Sequence, residues 1–237
     1  MAADPRPARP RRPRPRQRPQ RAHLSPSRAS RADGGDTRAA DDTHRRSGLW
    51  ALDLLNGGGV GIALPFLQRS AADVVLLQAP RVLSARCAAK QRAAWTLGWR
   101  LAIEPALPTA TSSSAGVGIA VRHHIGAAPP TSLVALPELA TRAVSQWVGA
   151  VCRGGIHVVS ANLWTGEGLS PRNLDLLQCL ARLLAALRGP WVVGADWNLT
   201  PADLEASGWL ALLGGAIKAP ADPTCYGRVI DFFVVSR

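Results

Sequence analysis

The chain has 237 residues, with 28 Lys+Arg against 16 Asp+Glu and a formal net charge of +12. It contains no apolar run of about 18 residues, which excludes a helical membrane span, and its first residues lack the apolar core of a secretory signal. The charge divides unevenly at Ser47: residues 1–46 hold 13 Arg and 5 Asp, while residues 47–237 hold 15 basic and 11 acidic groups and every aromatic residue.

From Pro5 to Arg21 Arg and Pro alternate (PRPARPRRPRPRQRPQR). Proline removes backbone donors, like charges repel, and no apolar side chain is available to bury, so residues 1–47 are expected to form a disordered tail of polyproline II character. Guanidinium groups grip phosphate in pairs, which makes this tail either a nucleic-acid tether with nuclear character or simply a solvated arm. Cys87, Cys152, Cys179 and Cys225 are 65, 27 and 46 positions apart. That is no metal-ligand spacing, and it points to free thiols in an intracellular protein.

Residues 48–237 read as one domain. Gly48–Leu55 is expected to be a short buried strand closed by Asn56 and the turn at Gly57–Gly59, followed by a weak helix over 60–69. Val74–Leu77, Gly116–Val121 and Ile156–Ala161 read as further strands. The loosely alternating run over 142–151 is expected to pair with Ile156–Ala161 across Arg153-Gly154-Gly155. From Arg172 to about Leu187 six leucines share one helical face, with Ser170 as the cap, Pro171 in the first turn and Gly189-Pro190 as the stop. Trp191–Gly194 is a strand, Thr200-Pro201 opens another helix, and Val229–Ser236 is the final strand. Strands alternating with helices around one hairpin predict a mixed-sheet, layered α/β domain.

Polar residues collect at the strand ends: Asn56, Gln78, Asn162, Asp196 with Asn198, and Asp231. In layered α/β folds such ends form the site, and carboxylates with amides suit a hard cation and a phosphorylated substrate. Asp196 and Asn198 also make a good loop turn before a capped helix, and Asp231 could equally serve a neighbouring loop. His123-His124 reads as surface loop, Gly57–Gly61 as a turn without the Lys-Ser/Thr of a phosphate loop, and the leucine face as core. Of the eight tryptophans, Trp164 and Trp197 are the first candidates for base stacking.

The segment Val192–Asn198 (VVGADWN) resembles the "G-D-[aromatic]-N" segment of the endonuclease/exonuclease/phosphatase superfamily, which includes abasic-site and non-LTR retrotransposon endonucleases. Ile230–Ser236 resembles its "I-D-Y/F" strand, Asp73–Gln78 its "D-V-x-x-L-Q" strand and Gly116–Val121 its central strand, all in the family's order. The resemblance implies a four-layer α-β-β-α sandwich of two mixed sheets. It implies that Asp196 activates water, Asn198 holds a phosphate oxygen, Asn56 supports Mg²⁺ (or Mn²⁺), Asn162 or Trp164 touches the substrate, and Asp231 orients a histidine. Two departures stand out: Ala79 occupies the position of the family's metal-binding Glu, and Leu54 that of its first Asn. No "S-D-H" segment follows the Asp231 strand, so the last strand is expected to be missing and the copy degenerate or truncated. The implied function is a metal-dependent phosphodiester hydrolase acting on nucleic acid, DNA ahead of RNA. The alternatives are a non-catalytic nucleic-acid-binding remnant and a small-molecule or lipid phosphatase of the same fold.

Overall fold

The computed structural model describes residues 43–110, 112–129, 139, 141–150 and 154–237. The expected tail over 1–42, and the calls on Cys152 and Arg153, lie outside the described residues. In chain order the elements are α1 (Thr43–Arg46), β1 (Leu52–Asn56), α2 (Val60–Arg69), β2 (Val74–Gln78), α3 (Ser84–Thr96) and β3 (Trp99–Glu104). There follow the short β4 (Leu107–Pro108) and β5 (Ser113–Ser114), then β6 (Val117–Arg122), β7 (Ala127–Ala128), β8 (Ala143–Val148) and β9 (Ile156–Asn162). The C-terminal part comprises α4 (Pro171–Ala186), β10 (Trp191–Asp196), α5 (Pro201–Ala206), α6 (Trp209–Leu213), β11 (Gly215–Lys218) and β12 (Asp231–Ser236).

Two mixed sheets result, in the orders β1-β2-β6-β3 and β11-β12-β10-β9-β8-β7. β1 runs parallel to β2 and β9 parallel to β10, whereas β12 is antiparallel to β10 and β8 to β9. The expected hairpin of β8 and β9 is therefore present. Alternation along the strands explains the layers. Val74 and Leu76 of β2 join Ile119, Val121, Val158 and Val192 in the core between the sheets. Val75 and Leu77 face the other way and pack with Leu67 of α2, Ala94 of α3 and Trp99. On the far side of the second sheet, Val193 and Ala195 meet the leucine face of α4 and Trp209 of α6. Helices thus cover both outer faces, as the resemblance implies. Burial on both faces is why β2 is an unbroken apolar run.

The core also holds a polar tie. Gln78 Nε2 donates to Ser160 Oγ at 3.0 Å and to the Gly194 carbonyl at 3.2 Å, and Ser160 Oγ donates to the Leu77 carbonyl at 3.0 Å. Gln78 therefore fastens one sheet to the other.

Some boundaries move. β1 begins at Leu52, not Gly48, because Gly48 takes φ +68 in a turn closed by Leu49 N–H donating to the His44 carbonyl at 2.8 Å. The chain is already helical at Thr43, inside the segment expected to be tail, where His44 Nε2 lies 3.2 Å from the buried Asp73 carboxylate. Besides α1 and the two-residue strands β4, β5 and β7, the elements α3, β3, α6 and β11 have no counterpart in the sequence reading. Of these four, α3 buries only Ala94 and has no apolar stripe to announce it. No helix among the described residues is long and apolar enough to cross a membrane.

Candidate active site

Parallel pairing brings the C-terminal ends of β1, β2, β9 and β10 to one edge of the sandwich. Register then sets neighbours side by side: Asn56 opposite Gln78, Asn162 opposite Asp196, and Asp196 opposite Asp231, where β12 begins. Asn56 comes from one sheet and the two carboxylates from the other. Its Nδ2 donates to Asp196 Oδ2 at 2.8 Å and to Asp231 Oδ1 at 3.1 Å, so a single amide bridges both acids and both sheets.

The bridge leaves a charge problem. Burial, followed by the Asp231 charge, pushes the Asp196 carboxyl up to about 7, against the pull of the Asn56 and Asn198 amides. Asp231 is raised as well, again by burial, with Thr224 and Asn56 pulling the other way. Asp196 Oδ1 is buried with no hydrogen-bond partner among the described residues. A buried anionic oxygen beside a second carboxylate is a place that a hard divalent cation satisfies. Mg²⁺ accepts one or two protein carboxylates and completes its shell with water and phosphate, so the oxygens of Asp196 and Asp231 fit it as a minimal set, with the Asn56 amide beside them. No carboxylate joins them from β2, where Ala79 follows Gln78 with φ +48. Among the described residues no group of three or more His, Cys, Asp or Glu gathers at one point.

The other expected residues surround this centre. Asn162 is buried. Asn198 sits in the left-handed region at φ +51, its Nδ2 donating to the Leu163 carbonyl at 3.0 Å. It lines a cavity of about 590 Å³ whose walls include Leu169, Leu199, Cys225, Tyr226 and Arg228. The following helix, α5, is held by a reciprocal cap: Thr200 Oγ1 accepts from Asp203 N–H, and Asp203 Oδ2 accepts from Thr200 N–H at 3.0 Å.

Neither tryptophan has a free face for a base. Trp197 is wholly buried, stacked on Phe232 with its Nε1 donating to the Phe232 carbonyl at 3.0 Å, so it is core. Trp164 lies between two guanidinium groups, Arg142 at 3.3 Å and Arg172 at 3.2 Å from its ring centre. Among the described residues Asp231 is met by Asn56 and Thr224, not by a histidine. His124 lies 3.9 Å from Asp73, at the opposite end of β2 from the site. The sequence reading missed Arg142 and Thr224. Arg142 immediately precedes β8 as one of many arginines with no motif around it, and Thr224 lies in a loop that nothing local marks.

Residues 62–237 match the Endonuclease/Exonuclease/phosphatase family. No curated protein matches the chain. Among solved structures it is similar in fold to a 3′-5′ exonuclease from Neisseria meningitidis, with a TM-score of 0.51 and 16% identity over 78% of this chain and 86% of that one. It is similar to an endonuclease/exonuclease/phosphatase family protein from Leptotrichia buccalis, with a TM-score of 0.52 and 12% identity over 78% and 87% of the two chains. It is also similar to an AP endonuclease from Leishmania major, with a TM-score of 0.50 and 13% identity over 78% of each chain. With two facing mixed sheets, helices on both outer faces and an Asn–Asp–Asp bridge at their shared edge, this chain belongs to the endonuclease/exonuclease/phosphatase family.

Proposed function

We propose that this chain is a hydrolase of nucleic-acid phosphodiesters, DNA ahead of RNA. The observation that carries the reading is the Asn56 bridge to Asp196 and Asp231, which sets a carboxyl with a pKa of about 7 in a water-poor corner beside two further amides. A carboxylate poised near neutral pH suits a general base. Asp196 takes the proton of the attacking water. The water oxygen forms a bond to phosphorus on the side opposite the leaving oxygen, whose bond breaks and which takes a proton from solvent. Asn162 and Asn198 donate from their side-chain amides to the phosphoryl oxygens. Asn56 keeps the acids in register throughout, so that Asp196 points at the water without reorganising. Asp196 and Asp231, beside the Asn56 amide, are the residues that would hold Mg²⁺ or Mn²⁺, and the ion would supply positive charge against the charge that develops on phosphate.

The test is nicking of supercoiled plasmid and of abasic-site DNA by the full chain with Mg²⁺ or Mn²⁺. Asp196→Ala should reduce the rate by at least about 100-fold, the usual scale for loss of a general base. Wild-type nicking no faster than that of the variant at saturating metal would overturn the hydrolase reading. Ala79 in place of a carboxylate favours a second reading, in which the chain binds nucleic acid without cutting it. DNA binding with no cleavage selects that reading. Hydrolysis of inositol phosphates with no DNA cleavage selects a small-molecule phosphatase.

A further inference from the structure

Arg142 is 5% exposed, yet its Nε and Nη2 have no hydrogen-bond partner among the described residues. Its Nη1 reaches only the Asn162 carbonyl, at a long 3.5 Å. A buried cation with unspent donors is costly unless an anion pairs with it. No carboxylate forms an ion pair with Arg142 among the described residues, and Glu167 and Asp196 act on it only through their fields. Burial and the neighbouring Arg172 charge lower its pKa to about 10, as expected of two like charges held close together.

What holds them close is Trp164. The indole has Arg142 against one face and Arg172 against the other. Its own backbone is pinned by Asn173, whose Oδ1 accepts from Trp164 N–H at 2.8 Å and whose Nδ2 donates to the Trp164 carbonyl at 3.1 Å. Arg172 is 57% exposed at the first turn of α4 and only loosely paired with Glu167, at 3.4 Å. One guanidinium is thus buried beside the hydrolytic centre and the other stands open at the rim, with a rigid ring between them. Cation–π stacking orients both groups and, beyond one Nη1 contact each, leaves their in-plane N–H donors unspent.

We propose that Arg142 and Arg172, spaced by the Trp164 indole, form a second phosphate subsite beside the Asp196 centre, so that the preferred substrate carries consecutive phosphates rather than an isolated phosphate ester. This rests on the reading of the Asp196 centre as directed at phosphodiesters. The incoming phosphate meets Arg172 first and draws the Arg142 group to it across the edge of the ring. Two guanidinium groups present planar forks to one phosphate, a geometry that lysines do not reproduce. A polyanionic strand gains from the second contact, whereas an isolated ester has nothing to place there.

The test compares dithymidine monophosphate with its 5′-phosphorylated and 3′-phosphorylated forms, by calorimetry on the full chain, with Ca²⁺ present to neutralise the carboxylates. One of the two phosphorylated forms should bind about tenfold more tightly than the parent, the scale of one added charge-assisted fork. Arg172→Gln should remove most of that gain and leave binding of the parent dinucleotide nearly unchanged, and Arg142→Gln should remove the gain as well. Arg172 is exposed, so its variant decides the matter even if Arg142→Gln does not fold. Equal affinity for all three compounds, or a gain that survives in the Arg172 variant, overturns the subsite and leaves the proposed function standing. No binding of any dinucleotide overturns both.

Discussion

At the scale of the residue, the site is governed by the proximity of a buried carboxylate and a half-buried one to one amide. A carboxyl whose pKa is raised on folding binds its proton more tightly folded than unfolded, so its neutral form favours the folded state and ionisation opposes it. For Asp196 the interval runs from its ordinary 3.8 to about 7. The metal-free chain should therefore lose stability as pH rises through that interval, and Asp231, raised in the same direction, should add to the loss. Asp196→Asn removes the ionisation. In EDTA it should raise stability at pH 8 by a few kcal/mol at most, and by little near pH 4. Urea titrations of both proteins at the two pH values check this. A variant less stable than wild type at pH 8 would contradict the buried charge repulsion. The candidate residues Asn56, Asn162, Asp196 and Asp231 stand out in the sequence because each ends or opens a strand, and Asn198 because it follows one by two residues. Arg142 does not, because its distinction is its unmet donors, a property of its surroundings.

At the scale of the element, caps and leucine periodicity carry the most information. Ser170 accepts from Asn173 N–H at 3.3 Å and Pro171 opens α4, as the local sequence predicts. The cap of α5 bears directly on the site, since Thr200 lies two residues after Asn198. The six residues of α5 make it too short to be stable without a cap or packing. Thr200→Ala should lower global stability by about 1 kcal/mol, measured by chemical denaturation. It should also reduce nicking more than that loss alone explains, because Asn198 occupies a left-handed conformation that the cap helps to hold. Three of the elements that escaped sequence reading share a cause. The outer helix α3 is alanine-rich and largely exposed, β11 is a four-residue edge strand, and α6 is little more than a turn. None has the length or periodicity that distinguishes one secondary structure from another.

At the scale of the whole molecule, the site exists only because the two sheets approach closely, and Gly194 is the clearest measure of how closely. A Cβ there would come within 2.5 Å of Leu76 Cδ1, 2.8 Å of Phe233 Cε1 and 2.9 Å of Leu54 Cδ1. Phe233 belongs to its own sheet, but Leu54 and Leu76 belong to the other. Leu54 lies two residues from Asn56 on the same strand, so spreading the sheets at Gly194 pulls the amide away from Asp196. Gly194→Ala should cost about 1–3 kcal/mol in stability, the usual price of overpacking. Nicking should fall even under conditions where the variant remains folded. Unaltered activity in a destabilised variant would show that the bridge tolerates movement of the sheets.

The sequence alone determined what short-range physics can encode. Alternating or continuous apolar runs marked most of the strands, the capped leucine stripe marked α4, and polar side chains marked the strand ends where a site would form. Only the tertiary structure decided which of those ends meet. Asn56 reaches Asp196 across 140 positions and Asp231 across 175, and neither distance follows from local pattern. The same holds for Gln78, which ties the sheets together, for Trp197, which belongs to the core, and for Trp164, whose faces are taken by two arginines. The physical reason is common to all of them. A side chain's character is set by its own chemistry, but its partner is chosen by how two sheets pack.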